Sequence, residues 1–142
     1  MDLAAFSTLL GVGLVVVAII MTTLWVLGLR FRNFSYVDIG WSANFAVLAI
    51  LYASLTDGWL PRRWLIAAMF TFWGVRLAAH LATRILGEPE EGRYVRLREE
   101  WGQKGNVNSK FLGFFLFQGV LNVFLILPLL LACMNPTPGF HP

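Results

Sequence analysis

Arg76, His80 and Arg84 follow one another at intervals of four residues inside an otherwise apolar stretch, with Thr83 beside them. On a helix this spacing puts the three side chains in one stripe. Ionisable groups inside a membrane span are costly, usually face a bundle interior or water, and by default mark a functional site. Arg76 is the most deeply placed and fits a substrate-binding role or a buried ion pair. His80 can transfer a proton or serve as a neutral hydrogen-bond partner for a neighbouring helix. Arg84, near the end of the stretch, can snorkel to water. Gln118 and Asn122 are again four apart, after Asn106 and Asn108. Two amides on one face can orient the polar groups of a ligand next to the Arg76 stripe, or simply hold helices together. Asp38, with Ser35, Tyr36, Ser42 and Asn44 nearby, can accept a salt bridge, transfer a proton, or face the positive end of a helix dipole.

Several other chemistries lack their residues. One internal His and the single Cys133 do not supply a zinc or haem ligand set. There is no G-x-S-x-G elbow and no nucleotide fingerprint. The net charge of +3 is not gathered in one basic run, so nucleic acid is not an expected partner.

The elements that must position these groups follow from composition. Hydrophobic residues make up 58% of the 142, charged ones only 13%, and the mean hydropathy is +0.68. That balance excludes a soluble enzyme, a disordered chain and a disulfide-stapled secreted domain. The uncharged or nearly uncharged stretches predict four transmembrane helices over residues 3–29, 39–56, 64–86 and 111–134, the last kinked at Pro128. The first is read as a retained helix rather than a signal peptide, because Asp2 stands where a basic residue is expected and Arg30 and Arg32 follow it.

The segment 87–110 holds ten of the nineteen charged residues, so it is the polar loop of the protein. Within it Tyr94, Leu97 and Trp101 recur at helical spacing, which predicts a short helix on the membrane surface ended by Gly102 and Gly105. Arg30, Arg32, Arg93, Arg96, Arg98, Lys104 and Lys110 fall on one side of the spans, against Arg62 and Arg63 on the other. The positive-inside rule then puts the N-terminus outside and loop 87–110 in the cytoplasm.

Three local patterns occur together: N-F-S-Y-V-D-I-G-W-S from Asn33, W-G-V-R-L-A-A-H-L-A-T-R-I-L-G from Trp73, and E-E-G-R-Y-V-R-L-R-E-E-W-G from Glu90. From about Asn33 into the fourth helix the chain resembles the bacterial membrane proteins of the DUF1295 family. That family is similar to steroid 5α-reductases and, more distantly, to isoprenylcysteine carboxyl methyltransferases. The resemblance implies an all-α, four-helix transmembrane bundle corresponding to the first half of a seven-helix reductase-like fold, in a bacterial inner membrane. It further implies hydride transfer from NADPH to a carbon–carbon double bond conjugated to a ketone in a lipid, isoprenoid or steroid.

Such reductases polarise the carbonyl with a Glu of the second helix and a Tyr in an H-Y-x-x-R stretch. Here His80 to Arg84 matches that stretch only partly, since Leu81 takes the Tyr position and the second helix has no Glu. The resemblance therefore leaves Asp38 and His80 as the expected catalytic groups. Arg76, Gln118 and Asn122 are expected around the substrate, and Gln118-Gly119 resembles a Q-G of the family's fourth helix. The family places most NADPH contacts in three further helices and an R-H-P-x-Y motif with which His141-Pro142 is not equated. The chain is thus expected to be incomplete as an enzyme on its own, complemented by another membrane subunit or its own oligomer. The alternatives are a non-enzymatic scaffold or partner subunit and, by fold analogy, a methyltransferase.

Overall fold

The computed structural model describes residues 2–103 and 105–139, and its regular elements are all helices. Lys104, counted above among the basic loop residues, and His141 and Pro142 lie outside the described residues. Helix α1 spans Leu3–Phe31, α2 Tyr36–Leu55, α3 Leu60–Ile85, α4 Gly92–Gly102, α5 Val107–Leu125 and α6 Leu127–Met134. Four of them, α1, α2, α3 and α5, are long and apolar enough to cross a membrane. The 29 residues of α1 extend about 43 Å, more than the ~30 Å hydrocarbon core. Large apolar side chains such as Ile19, Met69, Phe72 and Phe124 are exposed around the bundle, where lipid would cover them.

The helix ends differ from the sequence expectation for local reasons. The expected helix over 111–134 is two helices, because Pro128 in the first turn of α6 has no N–H to give and its ring opposes a continuous helix. At its other end α5 starts earlier, at Val107. There the side chain of Asn106 caps the backbone N–H groups of Asn108 at 3.1 Å and Ser109 at 3.4 Å. Pro61 likewise opens α3 early, so Arg62 and Arg63 belong to its first turns rather than to a loop. Arg62 is buried and donates to the carbonyls of Asn135 at 3.3 Å, Thr137 at 2.8 Å and Gly139, fastening the segment after α6 to the start of α3. The surface helix expected around Tyr94, Leu97 and Trp101 is α4, which runs to Gly102.

Helix α2 is the centre of the molecule. It packs against α1, α3, α5 and α6, while α1 also packs on α5, and α3 on α6. The α2–α3 contact is close enough to require glycine: a Cβ on Gly74 would lie 2.9 Å from the Ser42 carbonyl oxygen and 3.1 Å from the Ala46 nitrogen. Close backbone approach through small residues is how helices associate where lipid removes the hydrophobic incentive. One core cluster, around Leu48, Tyr52 and Leu130, fills the bundle between α1, α2 and α6. A second, of Met21, Phe34, Val37, Tyr94, Phe111 and Phe115, closes the polar end. Phe34 and Phe111 stack there with ring centres 3.9 Å apart.

Candidate functional site

The three sequence patterns meet at the polar end of the bundle, where the turn before α2 is fastened to the segment opening α4. Asn33 folds the turn locally: its side chain accepts from the Ser35 N–H at 3.0 Å and donates to the Glu88 carbonyl at 3.1 Å. Ser35 then accepts from the Glu91 N–H at 2.9 Å. Glu90 accepts from the Phe34 N–H at 2.7 Å and is held by Arg98 through contacts of 2.8 to 3.1 Å. That guanidinium also lies over the Phe34 ring, 4.9 Å from its centre. Glu91 pairs with Arg84, at the end of α3, and with Arg93 at 3.4 Å.

Asp38, in the first turn of α2, completes the cluster. Its two carboxylate oxygens accept separately, one from the Tyr94 hydroxyl at 2.9 Å and the other from Arg93. Tyr94 is buried. Burial first, and the Asp38 carboxylate second, push its phenol far above the usual range, so it stays protonated and remains a donor. Each acid here is matched by an arginine, which is what a partly buried carboxylate requires. Glu90, Glu91, Tyr94 and Arg98 were not among the expected site residues. The signal that could have found them is an acid pair directly before an amphipathic helix carrying Arg93, Tyr94 and Arg98.

The expected site residues separate into three places. Asn122 is buried, accepts from the Asn44 side chain at 2.9 Å and donates to the Trp41 carbonyl at 3.0 Å, linking α5 to α2. Gln118, one turn earlier, is half-buried and makes no hydrogen bond among the described residues. Asp38 sits in the ion-pair cluster. Arg76 and His80 are exposed on the outer face of α3, and α3 makes no contact with α5. The structure therefore does not bring Arg76 and His80 to Gln118 and Asn122, and the single cavity expected from the sequence is not formed. The reason is α2. It stands between the two helices, and α3 presents Gly74 to it, so Arg76 falls about 200° round the helix on the opposite side. Of the stripe only Arg84 joins the Asp38 cluster, through Glu91.

Between that outer face and the α2 contact, α2 and the flank of α3 enclose an apolar groove. One section of about 570 Å³ is lined by Ile50, Trp64, Ala67 and Phe72, with Arg76 at its edge. The next, of about 480 Å³, is lined by Ile39, Val47, Ala78 and Ala82, and both sections share Ile50, Thr71 and Val75. The Thr71 hydroxyl is buried and has no hydrogen-bond partner among the described residues. Apolar walls with a few polar groups are the usual make-up of a small-molecule site.

A third hollow, of about 520 Å³, lies at the polar end and carries Arg32, Arg98 and Asn108 together with Glu90. It bears on the expected cofactor, since NADPH brings a pyrophosphate and a further phosphate. Two guanidiniums, one already engaged by Glu90, match one such group. The described residues bring no three His, Cys, Asp or Glu side chains together as a metal site.

A family model described as a protein of unknown function (DUF1295) matches residues 24–141. No curated protein and no solved structure matches the chain.

Proposed function

Since the chain belongs to the DUF1295 family, whose description assigns no activity, we propose its function from its geometry and from the reductase resemblance expected from its sequence patterns: the α2–α3 face is one wall of a cavity for a lipid-like enone. The protein is the substrate-binding part of an NADPH-dependent membrane reductase, and a complementing membrane segment supplies the other wall. The observation that carries this reading is Arg76, a guanidinium exposed in the middle of a span beside an apolar groove. A cation there is costly unless it meets an oxygen or an anion. A ketone oxygen held against Arg76 meets that need.

The chemistry is consistent with the placement. Addition of a hydride to the β-carbon of an enone breaks the carbon–carbon π bond and moves its electron pair towards the carbonyl oxygen. Arg76 would stabilise that developing charge by donated hydrogen bonds in a water-poor site. His80, one turn further along the stripe and outside the lining of the groove, would return a proton to the α-carbon of a substrate enclosed between this face and the complementing wall. NADPH, when bound, supplies the hydride, with its contacts coming mainly from the complementing segment. Asp38, Gln118 and Asn122 lie off this face, and in this reading they fasten helices rather than touch the substrate.

The test is equilibrium binding of a tritiated 3-oxo-4-ene steroid, and of an isoprenoid enone, to the chain in lipid nanodiscs. Saturable binding that weakens by roughly tenfold or more in Arg76→Ala, as loss of a charged hydrogen bond would give, and that is kept in Arg76→Lys, supports the proposal. Binding indifferent to Arg76, or no binding of either probe, overturns it. A loss of assembly in Arg76→Ala without any enone binding would instead point to the scaffold role.

A further inference from the structure

The polar-end hollow has a composition that neither the enone groove nor the Asp38 cluster explains. We infer that it is a binding site for a phosphate group, formed by Arg32 at the end of α1, Arg98 of α4 and Asn108 in the first turn of α5. Its charge balance is specific. Glu90 also faces the hollow, but its oxygens are taken by Arg98 and by the Phe34 N–H. The Arg98–Glu90 pair is therefore neutral as a unit, and Arg32 remains as net positive charge. Arg32 has no ion-pair partner among the described residues.

Arg32 is also the one described non-glycine residue with a left-handed backbone, at φ 53°. It closes α1, its N–H bonding the Gly28 carbonyl, at a position where glycine is the usual choice. A long cationic side chain kept in a glycine's conformation is an outlier that invites a functional reading. The α5 terminus contributes in the same sense through its dipole alone, because the first turn of a helix is positive while its Asn108 and Ser109 N–H groups are already taken by Asn106. Trp25 marks the depth: its indole donates to the Asn108 carbonyl at 3.0 Å, as amphipathic rings do at the membrane–water boundary. Basic pockets between helices at that boundary suit anionic headgroups. The same chemistry would hold a phosphoester arriving from water, so the experiment must separate the two sources.

The left-handed backbone provides a clean variant. Arg32→Gly removes the charge and keeps the conformation, so the fold should survive. Arg30→Ala, in the last turn of α1 and outside the hollow, controls for general surface charge. Thermal unfolding of the full chain is followed in phosphatidylcholine nanodiscs with increasing phosphatidylglycerol, and in uncharged detergent with increasing inorganic phosphate at constant ionic strength. A ligand that binds only the folded state raises the midpoint saturably. A phosphatidylglycerol-dependent rise that is present in wild type and Arg30→Ala, and absent in Arg32→Gly, supports the site and assigns it to a lipid headgroup. An Arg32-dependent rise with inorganic phosphate as well assigns it to soluble phosphoesters too. No rise with either probe overturns the inference, as does an equal loss in Arg30→Ala and Arg32→Gly.

Discussion

At the scale of single residues, the hydrogen bond from Tyr94 to Asp38 makes a sharp prediction. Tyr94→Phe removes the donor to one carboxylate oxygen of Asp38 and leaves the other its contact with Arg93, so the expected cost is about 1.5 to 3 kcal/mol at neutral pH, the range for a hydrogen bond to a charged group. The pH dependence has a defined sign. Tyr94 is pushed above its ordinary value of 10.0 in the folded protein, so at higher pH the unfolded chain gives up this proton while the folded chain keeps it. The unfolded state then binds fewer protons, and stability falls as pH rises. The advantage of wild type over Tyr94→Phe should be constant below about pH 10 and shrink above it. Paired melts at a series of pH values check this, and an advantage that grows in alkali would refute it. Part of this scale was legible beforehand. Spacing gave the Arg76–His80–Arg84 stripe and the Gln118–Asn122 face, because helical periodicity fixes which residues share a face. It does not say which neighbour that face meets. Asn122 turned inward to Asn44 and Trp41, while Arg76 turned outward.

At the scale of elements, the α2–α3 pair depends on a single missing methyl. Gly74→Ala places a Cβ against the backbone of α2 and should cost about 1 to 3 kcal/mol, the range for overpacking a tight contact. Gly113→Ala, on α5 where nothing lies within 4 Å, should leave stability unchanged or raise it slightly. Thermal melts of the two variants in the same detergent decide between them. Equal midpoints would mean that the contact is not tight. The number of spans was readable from charge-free stretches, since lipid tolerates few other patterns. Their ends were less so, because Asn106, Pro61 and Pro128 act through local backbone geometry that hydropathy ignores.

At the scale of the whole molecule, most of the basic residues gather with α4 at one end of the bundle, and the positive-inside rule predicts that this end faces the cytoplasm. With Cys133 replaced by Ala, cysteines at Asp57 and Gln103 sample exposed positions, one in each of two different loops. A membrane-impermeant maleimide should label the cysteine at 57 on intact cells, and the one at 103 only after the membrane is opened. The reverse pattern would invert the molecule. The polar end itself was visible in the sequence as a dense run of charge, but its wiring was not. Asp38 and Arg93 are 55 residues apart, and no local pattern announces such a pairing.

The grip of Arg62 on the carbonyls after α6 also fixes where the chain leaves the bundle. The departing segment is moored at the start of α3, where the Trp59 N–H also donates to the Asn135 carbonyl at 3.1 Å, and Arg62 stands about 200° round that helix from Trp64, which lines the groove. A fluorescent group added there by the experimenter is therefore an intramolecular neighbour of α3 on a side other than the groove, and its encounter with the α2–α3 face is governed by whether the tether is long enough to pass round the helix.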